Sequence, residues 1–224
     1  NRISNACFVL NGKEYPLDNN DATNCLHGGF LRYNYLMYDA ECAISQDDAS
    51  VSFSRVSPDG EQGFPGNLTL TITYTWNDAN ELMIEYNAVS DADTILNITN
   101  HSYFNIGDIS QIEVQNLPSS CYDSLQGKHT DVPSTRKIEQ GVDCIYTLEE
   151  DKTFLVDKAF NRRIQITHHH ADSIVLWNPW EKTPSAMQPE GYRTMVCIET
   201  ARLEKLLQFG ESISAEISAL TTDI

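Results

Sequence analysis

The nine residues Asn97-Ile-Thr-Asn-His101-Ser-Tyr-Phe-Asn105 set one histidine among four hydrogen-bonding side chains, Asn97, Asn100, Ser102 and Asn105. Histidine changes charge near neutral pH, so a histidine ringed by amides and a hydroxyl is placed to exchange protons. The plainer reading of the stretch is a strand end capped by Asn and Ser. Three more segments put polar groups beside strand-like runs: Asn1-Arg2, Cys25-Leu26-His27-Gly28-Gly29 and Met195-Val-Cys-Ile-Glu199-Thr-Ala201. Arg2 is a permanent cation with a fixed donor fork, suited to holding a hydroxyl or a carboxylate. His27 precedes two glycines, which let a ligand come close to the backbone. Glu199 closes the apolar run from Met195 to Ile198, so its carboxylate is expected to be partly desolvated, with a raised pKa useful to a base. Taken singly, each has an ordinary explanation as a loop or a paired strand end.

Short strands must position these groups. Leu68, Leu70, Ile72, Tyr74 and Trp76 alternate with threonines over residues 67–76, which predicts a strand with one apolar face. After the turn-forming Asn77-Asp78-Ala79-Asn80, residues 81–89 alternate again and read as the return strand of a hairpin. Similar runs at 51–56, 95–99, 163–167, 173–177, 195–200 and 212–220 are separated by Gly, Pro, Asn and Asp turn signals. Residues 200–208 are the one stretch with the makings of a helical turn or two. Many short strands without an internal period favour a large antiparallel sandwich over a propeller.

Composition narrows the function. The 224 residues carry a formal net charge of −17, and the averaged field repels phosphate backbones and anionic lipid. No apolar run approaches the roughly 20 residues that span a bilayer as a helix. Neither nucleic acid nor membrane is therefore expected as a partner. Six scattered cysteines, without a CxxC pair, suggest neither zinc nor a disulfide scaffold and fit a reducing cytoplasm.

Several stretches together resemble the aldose 1-epimerase (galactose mutarotase) family. They are Asn1-Arg-Ile3, Phe8-Val-Leu-Asn-Gly-Lys-Glu-Tyr15, Leu26-His-Gly-Gly29, Ser57-Pro-Asp-Gly-Glu-Gln-Gly-Phe-Pro-Gly-Asn-Leu68 and Asn97 to Asn105. Beyond Gly107, Val142-Asp-Cys-Ile-Tyr146, Asn161-Arg162, Val175-Leu-Trp-Asn-Pro-Trp180 and Gly191 to Glu199 are more similar to the hexose-6-phosphate mutarotase branch, so the chain reads as a mosaic. The resemblance implies one all-β domain over residues 1–224, an antiparallel supersandwich shortened at its N-terminal side. It implies a Glu199 base that takes the anomeric hydroxyl proton and a His101 acid that protonates the ring oxygen. Ring opening, rotation about C1–C2 and reclosure then give the other anomer without a cofactor or metal. Arg2, His27 and Asp143 correspond to sugar-binding residues, with Trp177 and Asn178 beside them, and Arg32 and Arg162 are candidates for a phosphate. The ligand implied is a small hexose or hexose phosphate, bound by a monomer or homodimer. A phosphate needs at least two of Arg32, Arg162, Arg163 and Arg193 to converge. A sugar-binding module without catalysis is the rival from another class.

Other features read as structure. His168-His-His170 lacks a Cys or carboxylate at ligand spacing and is expected to be a solvated strand end. Trp177 and Trp180 fit either an aromatic platform for a sugar or core packing. Tyr103 and Phe104 are expected to pack beneath the site. The acidic runs at 46–48 and 149–151 are expected to be solvated loops.

Overall fold

A computed structural model describes residues 1–203 and 212–220. The alternation at 67–76 becomes the strand Leu68–Asn77, paired antiparallel with Glu81–Ser90 from Leu68 opposite Ser90 to Trp76 opposite Leu82. Asn77 closes the hairpin with its own side chain: Oδ1 accepts from the amides of Ala79 and Glu81, each at 3.0 Å. The short polar side chain substitutes for backbone partners, as Asn commonly does in turns.

This hairpin belongs to an eight-stranded sheet. Its order is Ile112–Gln115, Lys152–Asp157, Arg162–His169, Ser212–Leu220, Glu81–Ser90, Leu68–Asn77, Asp48–Ser57 and Asp39–Ile44, antiparallel throughout. A seven-stranded sheet runs Tyr103–Asn105, Met195–Arg202, Ser173–Asn178, Val142–Thr147, Ser120–Asp123 and Lys128–Asp131, with Ile98–Asn100 also paired to Met195–Arg202. Two small ribbons, Arg2–Ile3 with Cys25–Leu26 and Cys7–Leu10 with Lys13–Pro16, complete the described strands. Among the described residues, helical structure is confined to 3₁₀ turns of three or four residues, and no helix is long and apolar enough to cross a membrane.

The two sheets share a core. Ile112, Val114, Leu155, Ile164 and Ile166 from the larger sheet pack with Cys144, Tyr146, Ile174, Leu176, Val196 and Ile198 from the smaller one. Where one strand contributes two of these residues they are two apart, so the pleat sends the residue between them to the opposite face. A second cluster of Leu68, Leu70 and Ala88 takes cover from Tyr33, Leu96 and Ile98. Cover runs out along the hairpin, and Trp76 is half exposed although it shares the apolar face.

Several expectations are corrected here. The 95–99 run is strand only over Ile98–Asn100. Residues 200–202 are strand rather than helix, and the rest of the 200–208 stretch from residue 204 lies outside the described residues. Glu199 therefore sits inside Met195–Arg202 instead of closing it. His168 is buried, not solvated, because it continues the inward positions of Ile164 and Ile166. Its Nδ1 lies 2.7 Å from Thr200 Oγ1 and its Nε2 3.0 Å from Thr153 Oγ1, so a neutral imidazole is satisfied on both sides.

Candidate active site

The central strands of the seven-stranded sheet lay down one row of side chains. Asp143 stands opposite Trp177, Trp177 opposite Cys197, and Cys197 opposite Tyr103. Two positions along the same strand, Glu199 joins Cys197 on that face. Cys144, Leu176, Val196 and Ile198 alternate with them and fill the sandwich core. The apolar periodicity that buries one face thus fixes which residues line the other.

His101 reaches this row from the turn between Ile98–Asn100 and Tyr103–Asn105. Its Nε2 lies 3.3 Å from Glu199 Oε1. The imidazole stacks on Tyr103 at 5.2 Å between centroids and meets Trp177 and His27 edge-on, each at 5.8 Å. Three rings around the imidazole restrict its rotation and hold it against the carboxylate. The His101 side chain is 31% exposed and that of Glu199 only 4%, so the pair opens to solvent on the histidine side.

Burial acts on both partners in the direction of neutrality. It pushes Glu199 up to about 8, and it lowers His101 below the ordinary histidine range. Between those limits the pair holds one proton, which these shifts place on the carboxyl, 3.3 Å from the imidazole nitrogen that can take it. Thr99 Oγ1 donates to Glu199 Oε2 at 3.4 Å and to the Thr200 carbonyl at 3.3 Å, fixing the far side of the carboxylate.

His27 follows the short strand Cys25–Leu26 in a left-handed conformation, with φ of 54°. Asn20 holds this turn by donating to the carbonyls of Leu26 and Gly29 at 2.9 and 2.7 Å and accepting from the Leu26 amide at 2.7 Å. Gly29 is required twice over. Its φ is 103°, and a Cβ there would lie 2.7 Å from Asp18 Oδ2. Desolvation drops His27 to about 4, so it is a neutral hydrogen-bonding group at physiological pH.

The remaining expected residues divide. Asp143 is half-buried in the row, and burial raises its pKa. Arg2 pairs with Asp21 at 2.7 Å, and its charge still acts on Asp143 and His27. Arg32 lines a cleft of about 530 Å³ together with His27, Glu61, Asn97, His101 and Tyr103. In that cleft Asn97 Oδ1 is buried with no hydrogen-bond partner among the described residues. Asn178 is a different case. It is fully buried, its amide donates to the carbonyls of Tyr192 and Met195 at 2.9 and 2.8 Å, and its oxygen accepts from the Trp180 amide at 2.9 Å. It pegs the backbone after the strand and has no group left for a sugar. Arg162 lies on the eight-stranded sheet, where it pairs with Asp157 at 3.2 Å and with the Asn105 carbonyl. Arg163 covers the Phe154 ring and Arg193 pairs with Glu190. None of these three lines the cleft with Arg32.

Sequence reasoning missed or misplaced four residues. Tyr103 is 53% exposed and lines the cleft, while Phe104, one residue on, takes the buried role expected of both. Asn20 and Thr99 act through local bonds that no spacing announces. Cys197 was foreseeable, being two residues from Glu199 on the same strand. His101, Cys197 and Glu199 present ligand atoms all within 4.8 Å of one another, the one group among the described residues able to hold a metal ion.

Comparison with known proteins places the chain in a family. The sequence model of the family Aldose 1-epimerase matches residues 1–219. A Haemophilus influenzae protein provisionally named glucose-6-phosphate 1-epimerase is 54% identical over 118 residues, covering 53% of this chain and 44% of that protein. The galactose mutarotase of Rattus norvegicus is 44% identical over 106 residues, covering 47% of this chain and 30% of that enzyme. The chain thus spans less than half the length of either curated relative in the matched region. Among solved structures, galactose 1-epimerase from Lactobacillus acidophilus superposes with a TM-score of 0.83 over 98% of this chain and 76% of its own, at 20% identity, which speaks for the fold alone. The protein HI1317 superposes with a TM-score of 0.71 at 38% identity, over 82% of this chain and 65% of its own. Sandwich topology, the His101–Glu199 contact and a family match running through both lead to one assignment: this chain belongs to the aldose 1-epimerase family.

Proposed function

We propose that this chain interconverts the α and β anomers of an aldohexose, with Glu199 as general base and His101 as general acid. The observation that carries the reading is the 3.3 Å contact between His101 Nε2 and Glu199 Oε1 on the open face of the sheet. Mutarotation requires a proton to leave the anomeric hydroxyl and another to arrive at the ring oxygen. Those two oxygens are bonded to the same carbon, so acid and base must be neighbours, as these are. With the proton on His101, Glu199 accepts from the hydroxyl while the imidazolium donates to the ring oxygen, and the ring opens. Rotation about C1–C2 presents the other face of the aldehyde, and the reverse transfers close the ring. His27 packs against His101 and the charge of Asp143 reaches Glu199, so both can offer a donor or acceptor to sugar hydroxyls; Arg2 brings its cation near those two residues, and Trp177 offers an apolar ring face. No step calls for a cofactor.

A free hexose is the favoured substrate. Arg32 is the single arginine of the four candidates in the cleft, where a phosphate calls for at least two. The second reading, a hexose 6-phosphate, draws on Arg32 and on the 54% identity to the Haemophilus influenzae relative. The reading treats residues 1–224 as one domain, working in the cytoplasm, where six unpaired cysteines stay reduced.

Anomer exchange measured by NMR in galactose, glucose and glucose 6-phosphate tests both readings. Acceleration for a free hexose supports the first, acceleration for the phosphate alone supports the second, and binding without acceleration identifies a sugar-binding module. The pH dependence has a fixed sign. Adding a second proton to the pair at low pH disables the base, and removing its single proton as pH rises past about 8 disables the acid, so kcat/KM is expected to be bell-shaped.

A further inference from the structure

We infer that His101, Cys197 and Glu199 form a binding site for zinc, and that an occupied site excludes the sugar. The metal-binding half of this inference stands on geometry. Only the inhibition rests on the proposed mutarotase reading.

The three ligand atoms lie within 4.8 Å of one another, and the His101–Glu199 edge is already 3.3 Å. Zinc bonds of about 2.0–2.2 Å to nitrogen and oxygen, set at the tetrahedral angle, separate two ligands by roughly 3.3–3.5 Å. One edge of the coordination tetrahedron is therefore present without movement. Closing the other two takes a shift of about an ångström or so at the sulfur, given zinc–sulfur bonds of about 2.3 Å.

The ligand types select the ion. Imidazole nitrogen and thiolate sulfur with one carboxylate suit zinc, whereas magnesium and calcium call for all-oxygen shells. Three protein ligands leave a fourth position, and the exposed side of His101 gives the ion its path in. Cys197 and Glu199 are alternate residues of a strand that pairs with Ser173–Asn178 along both and with Tyr103–Asn105 at Cys197, so their spacing is held by the sheet. Thr99 donates to the Glu199 oxygen distal to His101, the supporting hydrogen bond that a carboxylate ligand needs. Binding releases the Cys197 thiol proton and the proton shared by the pair to solvent, so charge and atoms balance with no oxidant or reductant.

Cobalt(II) titration of the protein without sugar tests the site, with zinc uptake by equilibrium dialysis beside it. The expected result is one metal per chain, a near-ultraviolet thiolate-to-cobalt charge-transfer band and the intense visible bands of tetrahedral cobalt. Cys197→Ser is expected to lose the charge-transfer band and to weaken zinc binding at least tenfold. Should that variant fail to fold, His101→Asn, altered at a partly exposed position, is expected to weaken zinc by a similar factor. Absence of the thiolate band in the unaltered protein, or zinc uptake unchanged by both variants, overturns the inference. Metal binding with no mutarotation for any sugar overturns the functional reading and leaves the metal site standing. Mutarotation that persists at full rate with the site loaded overturns the inhibition.

Discussion

Two histidines lie on opposite faces of the strand Met195–Arg202, and they share one electrostatic influence while differing in everything else. Burial lowers the pKa of both His101 and His168, the latter to about 4. His168 faces inward, is 2% exposed and divides its nitrogens between the hydroxyls of Thr200 and Thr153. His101 faces outward, is about one-third exposed and presents Nε2 to the carboxylate of Glu199. The first is a neutral strut between two sheets and the second is, in the proposed mutarotase reading, half of a proton relay. Desolvation therefore does not make a histidine reactive. What sets His101 apart is a carboxyl partner and an open side, and both follow from the residue's place in the pleat.

Four experiments probe that contrast. The largest expected effect is Glu199→Gln, which keeps shape and hydrogen bonding but removes the proposed base. It should lower kcat/KM for mutarotation by about 10³-fold while sugar affinity stays within about tenfold. His101→Asn removes the proposed acid and is expected to cost about 10²-fold in the same assay, with unfolding in urea unchanged. Next comes His168→Leu, which leaves the Thr153 and Thr200 hydroxyls buried without their partner. It should lower unfolding stability by about 1–3 kcal/mol and change kcat only a few-fold. If His168→Leu instead abolished turnover at full stability, the contrast between the two histidines would collapse. Thr99→Val closes the series with an effect of a few-fold on kcat, read as a displaced limb of the pH profile, because the hydroxyl only steadies one carboxylate oxygen.

The strut also leaves a mark on stability against pH. The folded His168 pKa is near 4 and the unfolded value about 6.5, so between them the unfolded chain binds the extra proton. The His168 contribution to stability is present above about 6.5 and is lost progressively as pH falls toward 4. Denaturation midpoints compared between the unaltered chain and His168→Leu should differ in slope across that window.

Much of this was legible in the residues. Alternation found the hairpin and most of the strands, since a pleat exposes its period directly in the sequence. His101 and Glu199 stood out through local polarity beside apolar runs, and the structure brings them into contact. His168 was hidden because three consecutive histidines look uniformly polar, whereas what decides burial is parity with Ile164 and Ile166. Asn178 misled for the opposite reason. An amide after a tryptophan in a sugar-binding pattern looks like a ligand contact, but the neighbouring backbone carbonyls claim its hydrogen bonds. The cross-strand row from Asp143 to Tyr103 depends on pairing between distant segments, which no local window contains.

Trp177, in the middle of that row, has an optical consequence. Of the three indoles, Trp76 lies on the half-exposed end of the hairpin and Trp180 packs on Tyr192, while Trp177 meets both His101 and Tyr103 edge-on. In the proposed reading, a pyranose laid against its ring would displace water from a half-buried chromophore. The part of the emission that comes from Trp177 would then report occupancy, readable in variants that no longer turn over.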